Sequence, residues 1–256
     1  MRNIHGSFIW YELLTSDPDA AAAFYGDAIG WTNADSGQPD MDYRIFSAAD
    51  GPVAGLMKLP GGAAEAGMRP GWLGYIGVDD VDRAVADITQ AGGSIHMPAA
   101  DIPSVGRIAM VADPQQVIFY LMRGASDEAS RSFAQADGHC AWNELSTSDQ
   151  DAALAFYTGR FGWEKGDAMP MGEMGEYRFI NHGGEMIGAV MNRTADGPPP
   201  AWLFYFQVPD IDRSAESVTA GGGTIHYGPA EIPGGQLMIV ASDPQGALFG
   251  VVGPRH

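Results

Sequence analysis

Residues 10–31 read WYELLTSDPDAAAAFYGDAIGW, and residues 142–163 read WNELSTSDQDAALAFYTGRFGW. Widened to Gly6–Trp31 against Gly138–Trp163, the match is 15 identities in 26 positions, too many for chance. Trp72–His96 against Trp202–His226 adds 12 identities in 25, and DPQQVIF from Asp113 pairs with DPQGALF from Asp243. The three blocks keep their order, and the offset between the halves stays between 130 and 134 residues throughout, so the chain is a tandem duplication. This organisation predicts one domain over 1–122, a second over 138–256, and a linker over 123–137 (RGASDEASRSFAQAD), which is small, polar and without sustained periodicity.

Each half contains a fainter repeat of its own. Strand-like FIWYELLT leads into a helix starting at DPDAA, and strand-like WLGYIGV leads into one starting at DDVDRA. Asp17, Asp80, Asp149 and Asp210 stand where a side-chain oxygen caps the first free amides of a helix, and Gly30, Gly92, Gly162 and Gly221 stand where a helix stops. Three short strand candidates follow each helix. The resulting pattern, βαβββ four times, predicts an α+β fold of curved mixed sheets. Four helices for about sixteen strands are too few for a doubly wound parallel sheet.

Composition narrows the partners. Of 256 residues, 45% are hydrophobic, enough for buried cores, while 14 Lys plus Arg against 32 Asp plus Glu give a formal charge of −18. A field of that sign repels a phosphate backbone, so nucleic acid is not expected. No apolar run approaches the roughly 20 residues that span a bilayer, so no membrane partner is expected. The N-terminal stretch reaches Glu12 and Asp17 before a signal-like core builds, and the single cysteine, Cys140, cannot form an internal disulfide; both point to a cytoplasmic protein. The sequence has no GxGxxG after the opening strand, no phosphate loop ending in GKS or GKT, no GxSxG and no HExxH.

The repeated WxELxTSDxDAA…AFY…GW block, followed each time by a WLxY strand, a DxDR helix start, a run of glycines and a DPQ hairpin, resembles the vicinal oxygen chelate superfamily of glyoxalases, bleomycin-resistance proteins and extradiol dioxygenases, in its tandem two-domain form. The resemblance implies that paired βαβββ units build glyoxalase-like modules whose sheets curve around a ligand cavity. In metal-using members it implies a divalent ion held from three strands. The first ligand position maps to Trp10 and Trp142, the second to Leu73 and Leu203, and the closing carboxylate to Tyr120 and Gly250. None of these side chains is a metal ligand, so no metal and no other cofactor is expected.

Period-two alternation sets Phe8, Trp10, Glu12 and Leu14 on one face of the first strand, opposite Ile9, Tyr11 and Leu13. With the family mapping, the first set faces the cavity. The candidate ligand-binding residues are therefore Trp10, Glu12, Tyr75, Arg107 and Tyr120 in the first half and Trp142, Glu144 and Tyr205 in the second. A carboxylate beside an indole can accept hydrogen bonds from a ligand, or act as acid or base if burial raises its pKa, which makes Glu12 and Glu144 the catalytic candidates. The structural alternative pairs each Glu with a repeated arginine, Arg44 or Arg178. Arg107, whose counterpart is Leu237, and Tyr120, whose counterpart is Gly250, suggest a better pocket in the first half, unless Arg107 sits at a strand end in water and Tyr120 is ordinary core. The loop around 169–176, MPMGEMGE, is read either as a lid or as an ordinary loop.

Three functions remain open: a metal-independent small-molecule binding protein for an apolar or aromatic ligand with a polar group; a lyase or isomerase using Glu12 or Glu144, with or without an unrecognised metal site; and an interaction protein with vestigial pockets. The internal duplication suits a monomer that is its own pseudo-dimer, or a homodimer. Whether βαβββ units pair within or across halves is open at this level.

Overall fold

The computed structural model describes residues 2–38, 41–62 and 67–256. The first half runs β1 (Phe8–Thr15), α1 (Pro18–Ile29), β2 (Thr32–Asp35), β3 (Tyr43–Ala48), β4 (Gly51–Lys58), β5 (Gly71–Gly77), α2 (Val81–Gln90), β6 (Ser94–Ile102), β7 (Gly106–Ala112) and β8 (Ile118–Gly124). The second half repeats it with β9 (Cys140–Thr147), α3 (Gln150–Phe161), β10 (Glu164–Pro170), β11 (Glu176–His182), β12 (Glu185–Asn192), β13 (Ala201–Gln207), α4 (Ile211–Ala220), β14 (Thr224–Glu231), β15 (Leu237–Ser242) and β16 (Leu248–Gly253). The fold is α+β, and the strands belong to two eight-stranded mixed sheets, neither closed into a barrel. The 169–176 stretch is the end of β10 and a short 3-10 turn at Gly172–Met174.

The pairing of modules, open in the sequence, has an unexpected answer. One compact unit comprises Met1–Ile9, Gly74–Ser130 and Trp142–Trp202; the other comprises Trp10–Leu73, Arg131–Ala141 and Leu203–His256. Each unit thus takes one βαβββ module from each half of the sequence. In the unit containing α1 and α4, the strand runs are β2-β3-β4-β1 and β13-β16-β15-β14; in the unit containing α2 and α3, they are β5-β8-β7-β6 and β10-β11-β12-β9. The first and last strands of a module lie side by side and parallel, as Glu12 opposite Gly55 and Tyr75 opposite Tyr120 show.

The helices start where their caps dictate. Asp17, Asp80, Asp149 and Asp210 each accept from a backbone N–H of the first turn. α1 and α3 end on Gly30 (φ 91°) and Gly162 (φ 67°), left-handed positions that a residue with a Cβ rarely occupies.

The repeated Tyr of AFY explains why the repeated DPQ turn belongs to the same packing unit. Tyr25 on α1 is fully buried; its hydroxyl donates to Asp243 Oδ2 (3.2 Å) and accepts from Trp72 Nε1 (2.9 Å). Tyr157 on α3 repeats this with Asp113 Oδ2 (3.1 Å) and Trp202 Nε1 (3.3 Å). The other oxygen of each aspartate closes its own turn, accepting from Gln115 N and Val117 N in one case and Gln245 N and Ala247 N in the other. A tyrosine from one half therefore satisfies a buried carboxylate from the other. Burial pushes both carboxyls above the usual aspartate range and both phenols well above the ordinary tyrosine value.

Between β8 and β9 the chain is irregular. Residues 125–129 are exposed, whereas Ser132 and His139 are buried. His139 Nδ1 lies 2.6 Å from Arg131 O and Nε2 lies 2.9 Å from Asp50 Oδ1 on the β3–β4 turn.

Candidate functional site

The first strand of each half carries the central residues, and its alternation is as the sequence predicts. Tyr11 packs into the core with its ring centroid 5.0 Å from Phe204, while Trp10 on the opposite face sends its indole N–H to the Tyr43 hydroxyl (2.9 Å). Tyr43 comes from β3 and reaches across β4 at Gly55. A Cβ there would lie 2.0 Å from the Tyr43 oxygen and 3.0 Å from Trp10 Nε1, so the glycine makes room for the contact. Glu12, opposite Gly55 in register, is buried, with 3% of its surface exposed.

In the other compact unit, Trp142 Nε1 donates to Tyr177 Oη (2.7 Å), and Tyr177 in turn donates to Glu144 Oε2 (2.7 Å). The order of donation starts at the indole, whose N–H can only donate. The three side chains are each half-buried. Tyr43 and Tyr177 do not stand out in the sequence, where the repeated YR of DYRIFSA and EYRFINH presents the neighbouring arginine as the more obvious partner for a glutamate. Arg44 instead binds Asp19 (2.7 Å) and Asp42 (3.0 Å), and Arg178 binds Glu176 and Gly166 O. In the second half the glutamate is thus bound by a tyrosine, while the arginine beside that tyrosine turns to Glu176 and Gly166 O.

Tyr75 and Tyr120 are stacked, with centroids 4.2 Å apart and planes 13° from parallel. Their counterparts are Tyr205 and Gly250, where a Cβ on Gly250 would lie 2.1 Å from the Tyr205 ring. Arg107 is drawn elsewhere: its guanidinium holds both Asp82 oxygens at 2.8 Å and Asp101 at 3.1 Å, and the hydrogen bonds from Arg107 hold the Asp82 carboxyl below the usual range. The matching aspartate of the second half, Asp212, is held in the same two-pronged way by Arg255 (2.7 and 2.8 Å). Fastening the first turn of the second helix is therefore a job both halves assign to an arginine, from different places in the chain.

These residues do not fit the divalent ion that the family's metal-using members hold. At the mapped positions the two indoles are engaged with tyrosines, Tyr120 is stacked, Gly250 has no side chain, and Leu73 and Leu203 have no donor atom. Among the described residues, no group of three or more His, Cys, Asp or Glu is placed to hold a metal. His96 and His226 lie exposed on β6 and β14, within 3.5 Å of Ser94 Oγ and 3.0 Å of Ser242 Oγ respectively.

Four βαβββ modules in two open mixed sheets define the architecture to which this chain belongs. It is a member of the Glyoxalase/Bleomycin resistance protein/Dioxygenase superfamily, matching that family over residues 7–120 and again over 138–251. Among relatives, it is 36% identical over 247 residues to the Mycobacterium bovis protein named "Putative glyoxylase CFP32", covering 96% of this chain and 94% of that protein. It is 28% identical over 262 residues to the anthracycline biosynthesis protein DauV of Streptomyces sp. (strain C5), covering 98% and 94%. The fold is shared with a Mn(II)-bound glyoxalase from Novosphingobium aromaticivorans (TM-score 0.65, 19% identity, 100% of this chain and 83% of that one). It is also shared with homoprotocatechuate 2,3-dioxygenase from B. fuscum in complex with HPCA (TM-score 0.69, 14% identity, 100% and 73%). No helix among the described residues is long and apolar enough to cross a membrane.

Proposed function

We propose that this chain is a metal-independent small-molecule binding protein of the cytoplasm, taking an apolar or aromatic ligand with a polar group. The observation that carries the reading is the Trp142–Tyr177–Glu144 chain, anchored on β9, the strand to which the family resemblance maps the first metal-ligand position. Tyr177 directs its proton at Glu144 Oε2, and the carboxyl oxygens have further lone pairs to offer, so the polar group recognised is a hydrogen-bond donor. Indole and phenol rings supply flat apolar area at low entropic cost. Trp10, Glu12, Tyr75, Tyr120 and Tyr205 are the further residues assigned to ligand contact; Arg107, committed to Asp82 and Asp101, takes part only by exchanging those partners. A relative named for anthracycline biosynthesis, a chemistry of fused aromatic rings, agrees with a planar ligand. The chain acts as a monomer with an internal pseudo-dimer, or as a homodimer.

A second reading rests on the same 2.7 Å contact. Tyr177 and Glu144 together form a route for a proton, which a lyase or isomerase would use with Glu144 as acid or base. Mass spectrometry of small molecules released from protein purified without chelator, with element analysis of the same sample, tests the first reading. The expected result is an aromatic ligand and well below one metal per chain; one tightly held Mn, Fe, Zn or Ni per chain would overturn it.

A further inference from the structure

The two compact units treat their helix pairs differently. In one, α1 and α4 close on each other: Ser214 Oγ donates to Ala28 O (2.7 Å), and Gly221 and Gly223 press on the Phe24 ring so tightly that a Cβ on either would lie 2.9 Å from it. In the other, the corresponding helices α3 and α2 leave a groove of about 560 Å³, a volume typical of small-ligand sites.

Three substitutions between the repeats account for the opening. Ser214 becomes Ala84, removing the hydroxyl tie; Gly221 becomes Ala91, whose methyl forbids the close approach; and Ala28 becomes Arg160. The Arg160 guanidinium lies over Phe156, 4.5 Å from the ring centroid, and so covers the ring that the α4 glycines cover in the other unit. Nη1 donates to Phe156 O (3.0 Å), while Nε is buried without an acceptor among the described residues.

The groove has a chemical character. Ile88 and Phe161, each 1% exposed, lie at its base, with Ala84 and Ala91 beside them. Its acidic groups are already engaged: Asp80 caps α2, Asp79 faces Arg2 at 3.4 Å and His5 at 3.9 Å, and Asp87 faces Arg83 at 4.0 Å. Arg160 has no ion-pair partner among the described residues. A guanidinium with an unmet donor, at the edge of an apolar base, matches a carboxylate attached to an apolar body. The protein's net negative charge is screened over about 8 Å at physiological salt, so the local cation decides.

We propose that the groove between α2 and α3 is a further ligand site, taking a small organic carboxylate whose charge is met by Arg160, turned off Phe156, and whose apolar body lies on Ile88 and Phe161. The test is a titration of the full chain, carbon-13 labelled at alanine and isoleucine methyls, with benzoate and with its uncharged analogue benzamide. Benzoate is expected to give saturable shifts at Ala84, Ile88 and Ala91, with benzamide about tenfold weaker or more. Arg160→Gln is expected to abolish that preference and Arg160→Lys to keep it, and Ala84→Leu, which fills the groove without touching the charge, is expected to block both. Equal affinity for the two probes, shifts confined to other methyls, or an Arg160→Gln protein that still prefers benzoate would overturn the assignment.

Discussion

The stacked Tyr75 and Tyr120 of the first half and the Tyr205 and Gly250 of the second solve one problem in two ways. Where two rings share the space between parallel strands, they stack at 4.2 Å; where one position is glycine, the single ring moves into the space a Cβ would need. Duplication has preserved filled volume rather than residue identity. The same lesson holds for Asp82 and Asp212, each clamped by an arginine from a different part of the chain.

The largest expected effect comes from giving the second half the first half's residue. Gly250→Tyr puts a side chain into the Tyr205 ring and is expected to cost about 3 kcal/mol or more in urea denaturation, partly recovered when Tyr205→Ala is added. A cost that Tyr205→Ala leaves unchanged would show that the ring is not what fills the site. Next in size are Tyr25→Phe and Tyr157→Phe, each removing a donor from a buried aspartate and an acceptor from a buried indole. A loss of about 1–3 kcal/mol is expected for each, similar in the two because the motif is duplicated.

The same tyrosines predict a pH dependence. Their phenols are raised above the ordinary value in the folded protein, so their contribution is fully present below about pH 10 and is lost as pH rises above it, where only the unfolded chain ionises freely. Melting temperatures followed from pH 8 upward are expected to fall, and to fall less in the double Tyr→Phe protein. Asp82 behaves oppositely. Held low by Arg107, it contributes above the usual carboxylate range and loses that contribution as pH falls through its folded value. Arg107→Leu is expected to remove this acid-side dependence by lowering stability at neutral pH while leaving it unchanged in acid, and the loss is expected to be small because the pair is solvent-screened.

The smallest effect concerns the chain break. Residues 125–129 are exposed, and protease is expected to cut there first. Each compact unit draws a module from both halves, so the two fragments are expected to stay together in gel filtration without denaturant. Fragments that separate would favour halves that fold alone, as the boundaries at 122 and 138 suggest.

Much of the fold was legible because it depends on local signals. The four capping aspartates mark α1 to α4, and the duplicated patterns mark most of the strands among the described residues, β2 and β10 apart. Module pairing was not legible, because an apolar face read along one strand carries no information about which distant face it meets; the buried ties of Tyr25 to Asp243 and of Tyr157 to Asp113 reveal it. At the candidate site, Trp142 and Glu144 were visible from alternation, whereas Tyr177 arrives from a strand more than thirty residues away and joins them only in three dimensions.

Recognition of a ligand by the Trp142–Tyr177–Glu144 chain without a metal is tested by titrating chelator-treated protein with 9-aminoacridine, a planar aromatic amine, while following tryptophan fluorescence. Saturable binding that is unchanged by added Mn(II) and weakened about tenfold or more in Glu144→Gln is the predicted result. Binding that appears only when Mn(II) is added, or that Glu144→Gln leaves intact, would contradict it.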